Sequence, residues 1–333
     1  MHDLENHTET RNRTIKDLLD RYLSDNLLRP SSVSAYKKVA RHLIKDCAAP
    51  RNDLDLNEIT HELLVGWRLQ ILERARPTTW NSYRNHLKAL LNYAVVIGWI
   101  SASPLKLVKR AATGSPRRMD VSKQAMDTVL ETLTDDYGEP HVAGATLYPR
   151  WFWRIVVLTL YNTGMRRRQL VTLRWEHIDF EQAEIVLSFE GSKTRRQWEI
   201  PISKGLEPHL LELRERTLRE RLGRNARSPD DYCSISQDQV FNVTLFYKGY
   251  KGTQLTEEQL SGFFRRLTQI TGVTISTHRM RHTVATQLTR GDRPNLPAIA
   301  ALLGHTNIRT TLRYVYSDTD QMRQALTGLM ELG

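Results

Sequence analysis

Cysteine is scarce in this chain of 333 residues, which has only Cys47 and Cys233. The two stand far apart and fit no metal-ligand spacing, so free thiols in a reducing compartment are expected. Long apolar runs are also missing. The most apolar stretch, residues 155–160, is far too short to span a bilayer. The opening M-H-D-L-E-N-H-T-E-T is polar and acidic, so no signal peptide is expected and the cytoplasm is the expected location. No G-x-x-x-x-G-K-[ST] loop occurs, which removes the usual cradle for nucleotide phosphates. His278 and His282 imitate a zinc helix, but Arg279 stands where H-E-x-x-H needs its glutamate and would repel a cation. The acid pairs Asp135-Asp136 and Asp230-Asp231 lack a partner cluster and read as solvated turns.

Positive charge is in excess, with 48 Lys and Arg against 37 Asp and Glu, a net +11. The excess is shared, 18 against 12 in residues 1–113 and 30 against 25 in residues 114–333. A polyanion therefore suits both parts as a partner. With 40% hydrophobic and 26% charged residues the composition is that of a folded globular protein. The length allows two domains, the larger with an ample core.

Four helical patterns and no strand signal fill the first hundred residues. Ile15, Leu18, Leu19 and Leu23 make one apolar stripe. Ser31 or Ser32 is the expected cap of a second helix over residues 31–46, with Tyr36, Val39, Leu43 and Ile44 inside. A third helix follows Thr60. The fourth, over residues 77–96, buries Tyr83, Leu87, Leu90, Leu91 and Ala94 and turns Asn81, Arg84, Asn85, His86 and Lys88 outward. The second and fourth helices each join a basic face to short hydrogen-bonding side chains. Such faces suit a major groove, with Lys37, Lys38, Arg41, Arg84 and Lys88 on phosphates and Thr78, Thr79 and Asn81 near base edges. A solvated helix surface is the bland alternative for either helix alone.

Residues 106–118 are small, basic and broken by Gly114-Ser115-Pro116, as in an exposed linker lying along a polyanion. Ser122 then opens a helix, and residues 150–162 are apolar nearly all round, as in a central buried helix that stops at Thr163-Gly164. Beyond that glycine, Arg166-Arg167-Arg168 crowd the first turn of another helix. Arginine is unfavourable at that positive end unless an anion sits there, so the three together read as a phosphate clamp. Two strand-like runs, 183–188 and 197–202, predict a β-hairpin whose basic tip carries Lys193. Helical patterns follow at 204–222 and 256–271, and residues 229–252 read as a loop around a short segment at 240–246.

Residues 277–314 organise the rest. Met280, Val284 and Leu288 form one apolar line of a helix, while His278, Arg281 and His282 lie on neighbouring rows. His305 follows behind a Leu-Gly turn, and Tyr314 comes nine residues later. A phenol beside two arginines and two histidines points to a nucleophile aimed at a phosphate.

The order T-G-M-R, a hairpin Lys, H-x-x-R-H-T, L-G-H and then Tyr resembles the tyrosine recombinases, the phage-integrase family. The resemblance covers nearly the whole chain. It implies a mainly α fold with a small β-hairpin (α+β): a helical core-binding domain over residues 10–110, a linker at 111–118 and a catalytic domain at 119–333, closing as a C-shaped clamp on DNA. By position it implies Arg166, Lys193, His278, Arg281, His305 and Tyr314 as the catalytic set, with Tyr316 a rival nucleophile two residues on. Gln169 replaces the usual Glu, and Arg279-Met280 the commoner Asp-Leu.

The implied reaction is attack by a tyrosine oxygen on a DNA phosphodiester, leaving a 3′-phosphotyrosyl link without any cofactor or metal. Arg166 and Arg281 would grip the non-bridging oxygens, Lys193 protonate the leaving 5′-oxygen, His278 take the tyrosine proton and His305 donate to a phosphate oxygen. The implied partners are a double-stranded recombination site with inverted half-sites, a second copy on each site and four copies in a synapse, with accessory DNA-bending proteins. Met322, Leu326, Leu329 and Met330 form an apolar stripe that suits a helix covering its own domain or docking on a neighbour, and the resemblance implies that a helix over 318–333 packs in trans. A nucleoid location follows. The competing readings are a type IB topoisomerase and a regulator of the same fold without catalysis.

Overall fold

The computed structural model describes residues 13–114, 120–134, 147–187, 197–223, 226, 228–290, 294–312 and 314. The chain divides into two compact units, Met1–Arg117 and Arg118–Gly333.

The first unit is built from four helices. Thr14 and Asp17 form a reciprocal capping box that starts α1, Ile15–Asp25. Helix α2, Pro30–Cys47, begins ahead of both serines expected to cap it. Pro30 fills the first helical position and Arg29 the cap, because proline lacks the N–H that a cap would satisfy. Thr60 caps α3, His61–Arg74, and α4 spans Pro77–Val96. Leu18, Leu43, Leu64, Leu87 and Leu90 are fully buried between them, around a Trp67–Trp80 pair with ring centroids 5.7 Å apart in edge contact.

The expected linker is part of this unit as far as Ala111. Leu105, Val108 and Ala111 are buried in the same core. Backbone groups of the segment are held by side chains of α4: Trp80 Nε1 donates to Lys109 O and Arg84 Nε to Val108 O, while the Asn81 amide donates to and accepts from Ala111. Composition indicated a solvated strap, but every third residue of it is apolar and finds the core.

In the second unit, α5 spans Lys123–Thr132 from a Ser122 cap. Helix α6, Arg150–Thr163, is the central helix that its all-round apolar sequence predicts, with Phe152, Trp153, Val156, Val157 and Leu160 fully buried. Gly164 ends it at φ +60°, the left-handed C-terminal geometry that glycine adopts without strain. Helix α7 covers Arg167–Thr172. The expected hairpin strands, now β2 (Glu184–Leu187) and β3 (Trp198–Pro201), are antiparallel, and a short β1 (Ile178–Asp179) extends them to a three-stranded sheet. Ile185 lies opposite Ile178 and Ile200, which puts three isoleucines on the core face. The expected hairpin tip, including Lys193, lies outside the described residues.

Helix α8 is Glu207–Leu222, and α9, Pro229–Ser234, lies where a loop was expected. Ser228 and Asp231 make its capping box, so an acid read as a solvated turn starts a helix instead. Thr256 caps α10, Glu257–Thr271, whose Phe263 stacks flat on Trp153 at 4.0 Å. Helix α11, Thr277–Leu288, packs on α6, followed by α12, Leu296–Leu302, and α13, Ile308–Leu312. Burial of α11 exceeds one apolar line: Arg281, His282, Thr283, Ala285 and Thr286 are buried beside Met280 and Val284, whereas Leu288 is exposed. Among the described residues no helix is long and apolar enough to cross a membrane.

Candidate active site

The buried face of α11 and the turns around it bring four of the six expected catalytic side chains together. Arg281 is 6% exposed. Its Nη1 donates to Gly164 O at 2.8 Å, and its Nη2 to Leu303 O at 2.5 Å and to His305 Nε2 at 3.0 Å. Arg166 sits at the N-cap of α7 and sends Nη2 to Gly304 O at 3.3 Å, while its buried Nη1 has no hydrogen-bond partner among the described residues.

These acceptors are carbonyls at helix ends. Gly164 closes α6, and residues 302–304 close α12, where the last carbonyls have no partner within the helix. Trp198 Nε1 takes Leu302 O at 3.3 Å, so three successive carbonyls are claimed by Trp198, Arg281 and Arg166. The partial negative charge at a helix C-terminus favours a guanidinium without cancelling it, as a carboxylate would. Among the described residues neither Arg166 nor Arg281 makes an ion pair with an acid. Full positive charge is thereby held in one partly desolvated place. Burial lowers the pKa of Arg281 to about 10, with Arg166 adding to the effect and Tyr314 opposing it. Burial lowers that of Arg166 too, again against Tyr314. Both remain cations at neutral pH.

Two glycines make these approaches possible. At Gly304, φ is +59° and a Cβ would lie 2.3 Å from the Trp198 ring. At Gly164 a Cβ would meet the Leu303 side chain at 3.0 Å. Both positions place a backbone carbonyl on an arginine, which is why the T-G-M-R and L-G-H glycines stand where they do.

Tyr314 is packed between histidines. Its ring lies parallel to that of His305, 6.1 Å away at 6°, and edge-on to His282 at 4.9 Å. Tyr314 N donates to Thr311 O, and the buried Thr289 hydroxyl donates to Tyr314 O at 2.9 Å. Burial, then Arg281 and Arg166, push the His305 pKa down to about 4, so the ring is neutral at physiological pH. Burial lowers that of His282 as well. His282 reaches Thr286 at 3.3 Å on its own helix, in keeping with a structural role.

The other expected residues lie apart. His278 is exposed in the first turn of α11, on a cavity of about 390 Å³ shared with Arg167, Arg265 and Phe264. Among the described residues it makes no hydrogen bond to Arg166, Arg281, His305 or Tyr314. Lys193, Tyr316 and the 318–333 segment are outside the described residues. The expected triple-arginine clamp divides: Arg166 turns inward, Arg167 is bound to Glu257 and Ser261 at 2.7 and 2.8 Å, and Arg168 is exposed. Gln169 Oε1 accepts from Arg166 N at 2.7 Å, so the residue that replaces the usual acid still fixes the turn.

In the first unit Lys37, Lys38, Arg41, Thr78 and Lys88 are exposed and Thr79 and Arg84 half-buried. Asn81 corrects the expected outward face. It is buried and its amide is occupied by Ala111 in both directions, leaving no edge for a base. Trp198, Thr289 and Thr311 were not singled out by the sequence. The only signal for Thr311 is its place between L-G-H and Tyr314.

Two acid-free guanidinia beside a phenol define an anion-handling site with a nucleophile at hand, the equipment of a phosphoryl-transfer centre. Residues 150–321 match the profile of the phage integrase family, and residues 12–112 match that of the phage integrase SAM-like domain. A relative in Pseudomonas aeruginosa carrying the name tyrosine recombinase XerC is 31% identical over 318 residues, 94% of this chain and 71% of that one. One of the same name in Pseudomonas syringae is 30% identical over 94% of this chain and 63% of its own length. The chain belongs to the phage integrase family. In fold it is similar to the Tn1549 transposon integrase solved with transposon right-end DNA. That likeness has a TM-score of 0.71 at 18% identity, over 96% of this chain and all of the other.

Proposed function

We propose that this chain is a site-specific DNA recombinase that cuts and rejoins DNA through a covalent 3′-phosphotyrosyl link to Tyr314. The observation that carries the reading is the convergence of Arg166, Arg281, His305 and Tyr314, with a buried Arg166 Nη1 that has no partner among the described residues. A non-bridging phosphate oxygen supplies the missing acceptor, and a forked guanidinium is shaped for it.

In the proposed step the Tyr314 oxygen attacks phosphorus, the P–O5′ bond breaks and the negative charge that grows on the phosphoryl oxygens falls on Arg166 and Arg281. His278 takes the tyrosine proton, Lys193 protonates the departing oxygen and His305 faces a phosphate oxygen. Reversal with a different 5′-hydroxyl completes strand exchange, so the bond energy is kept and no cofactor is required. Lys37, Lys38, Arg41, Arg84 and Lys88 on phosphates, with Thr78 and Thr79 near base edges, would place the duplex. Residues 10–110 then act as the core-binding domain, 111–118 as the linker and 119–333 as the catalytic domain. The segment 318–333 joins copies on inverted half-sites, two to a site and four to a synapse, on the nucleoid in the cytoplasm. A lambda integrase tetramer bound to a Holliday junction, a fold relative at 17% identity and TM-score 0.62 over 92% of this chain and 78% of the other, illustrates such an assembly.

Tyr314→Phe tests the reading on a nicked duplex bearing the site. The variant should bind with unchanged affinity and form no covalent adduct, whereas an undiminished adduct would move the nucleophile elsewhere, first to Tyr316. Strand exchange between two sites separates recombination from simple supercoil relaxation.

A further inference from the structure

His305 is held at both ring nitrogens. Nε2 lies 3.0 Å from Arg281 Nη2 and Nδ1 lies 2.9 Å from Thr311 Oγ1. A guanidinium has five N–H donors and no acceptor, so Arg281 donates and Nε2 presents its lone pair. The single proton of the neutral ring is then on Nδ1, and the Thr311 hydroxyl receives it. Thr311 is fully buried on α13, and its own carbonyl accepts from Tyr314 N at 2.9 Å. One residue thus grips His305 with its side chain and Tyr314 with its backbone, and the two rings lie within 6° of parallel.

From this geometry we propose that Thr311 is a positioning residue, which fixes the Nδ1–H tautomer of His305 and sets its ring in register with Tyr314. Among the described residues the groups facing His305 are the cations Arg281 and Arg166 and the phenol of Tyr314, with no carboxylate there to perform this orienting task. In the DNA-free site Nε2 is an acceptor tied to Arg281. Once a phosphate oxygen takes that Arg281 N–H, Nε2 is released. Donation from Nε2 to phosphate then needs one proton taken from solvent at that nitrogen, while Nδ1–H stays on Thr311. This inference deepens the strand-transfer reading and rests on it for its catalytic consequence.

The experiment is long-range ¹H–¹⁵N NMR of the imidazole rings in the DNA-free full chain, with His305→Gln giving the assignment. The wild type should show a protonated, slowly exchanging Nδ1 and an unprotonated Nε2 for His305. Thr311→Val should lose that slow Nδ1–H signal, and Thr311→Ser should restore it. On nicked DNA, Thr311→Val should slow adduct formation about 10–100-fold, by analogy with the loss of a group that orients a metal-bound histidine, with binding affinity unchanged. A wild-type His305 protonated at Nε2, or a Thr311→Val chain that keeps the Nδ1–H signal, would overturn the proposal. The wild-type spectrum decides even if the valine variant fails to fold. Absence of any adduct from the wild type would instead remove the strand-transfer reading and leave the tautomer assignment standing.

Discussion

Gly304 shows how much of the site depends on a single atom that is absent. A methyl group there would strike the Trp198 ring and require a non-glycine residue at φ +59°. Gly304→Ala should lower stability by about 2 kcal/mol or more, from left-handed strain and overlap together, and weaken the Arg166 contact with it. Thermal unfolding read beside adduct formation checks this; an unchanged melt would mean that the 302–304 turn is looser than described. At His305 the consequence is in pH. The folded ring, with its pKa near 4, binds fewer protons than the unfolded chain below the ordinary histidine value. Its stabilising contribution is complete above about pH 6.5 and disappears as pH falls through about 4. His282 and His42, both lowered by burial, act in the same direction. His305→Gln should therefore flatten part of the acid-side fall in melting temperature, and an equally steep fall would contradict the neutral assignment. The residue types of this site were legible because H-x-x-R, L-G-H and the tyrosine spacing lie within a few dozen residues. Their partners were not, since backbone carbonyls leave no mark on composition. Composition alone does not tell Arg166 from Arg167; the T-G-M-R resemblance picks Arg166, and the physical difference lies in the Gly304 carbonyl that Arg166 meets and the Glu257 carboxylate that holds Arg167.

Capped, periodic helices were readable as elements. Thr14, Thr60, Ser122 and Thr256 each precede an apolar stripe and each caps the helix that follows. Short pieces were less so: α9 has six residues and no buried side chain, so periodicity had nothing to register. The first part of the expected 106–118 linker packs instead, because its basic residues mask an apolar series that runs on from Leu105 through Val108 to Ala111. Asn81 is the decisive side chain there. Asn81→Ala should leave the Ala111 N–H and C=O unpaired in the core and destabilise the first unit by about 2–4 kcal/mol. A variant that melts normally but loses DNA affinity would return Asn81 to the base-reading face.

At the scale of the molecule the excess charge of +11 is distributed over both units, so binding should be strongly salt-dependent. Replacing Lys37, Lys38 or Arg41 with alanine should each reduce the slope of log affinity against log salt by about 1, uniformly across DNA sequences. A slope unaffected by all three would remove α2 from the interface. What unites charge, helices and site is the claim that Tyr314 forms the bond to DNA. The most direct test incubates the full chain with nicked site DNA in excess chelator, digests the trapped adduct with protease and nuclease, and locates the nucleotide by mass spectrometry. The expected product is a 3′-phosphate carried on Tyr314 and formed without added metal. A modified residue other than Tyr314, or DNA cut only with magnesium and no nucleotide attached to protein, would contradict it.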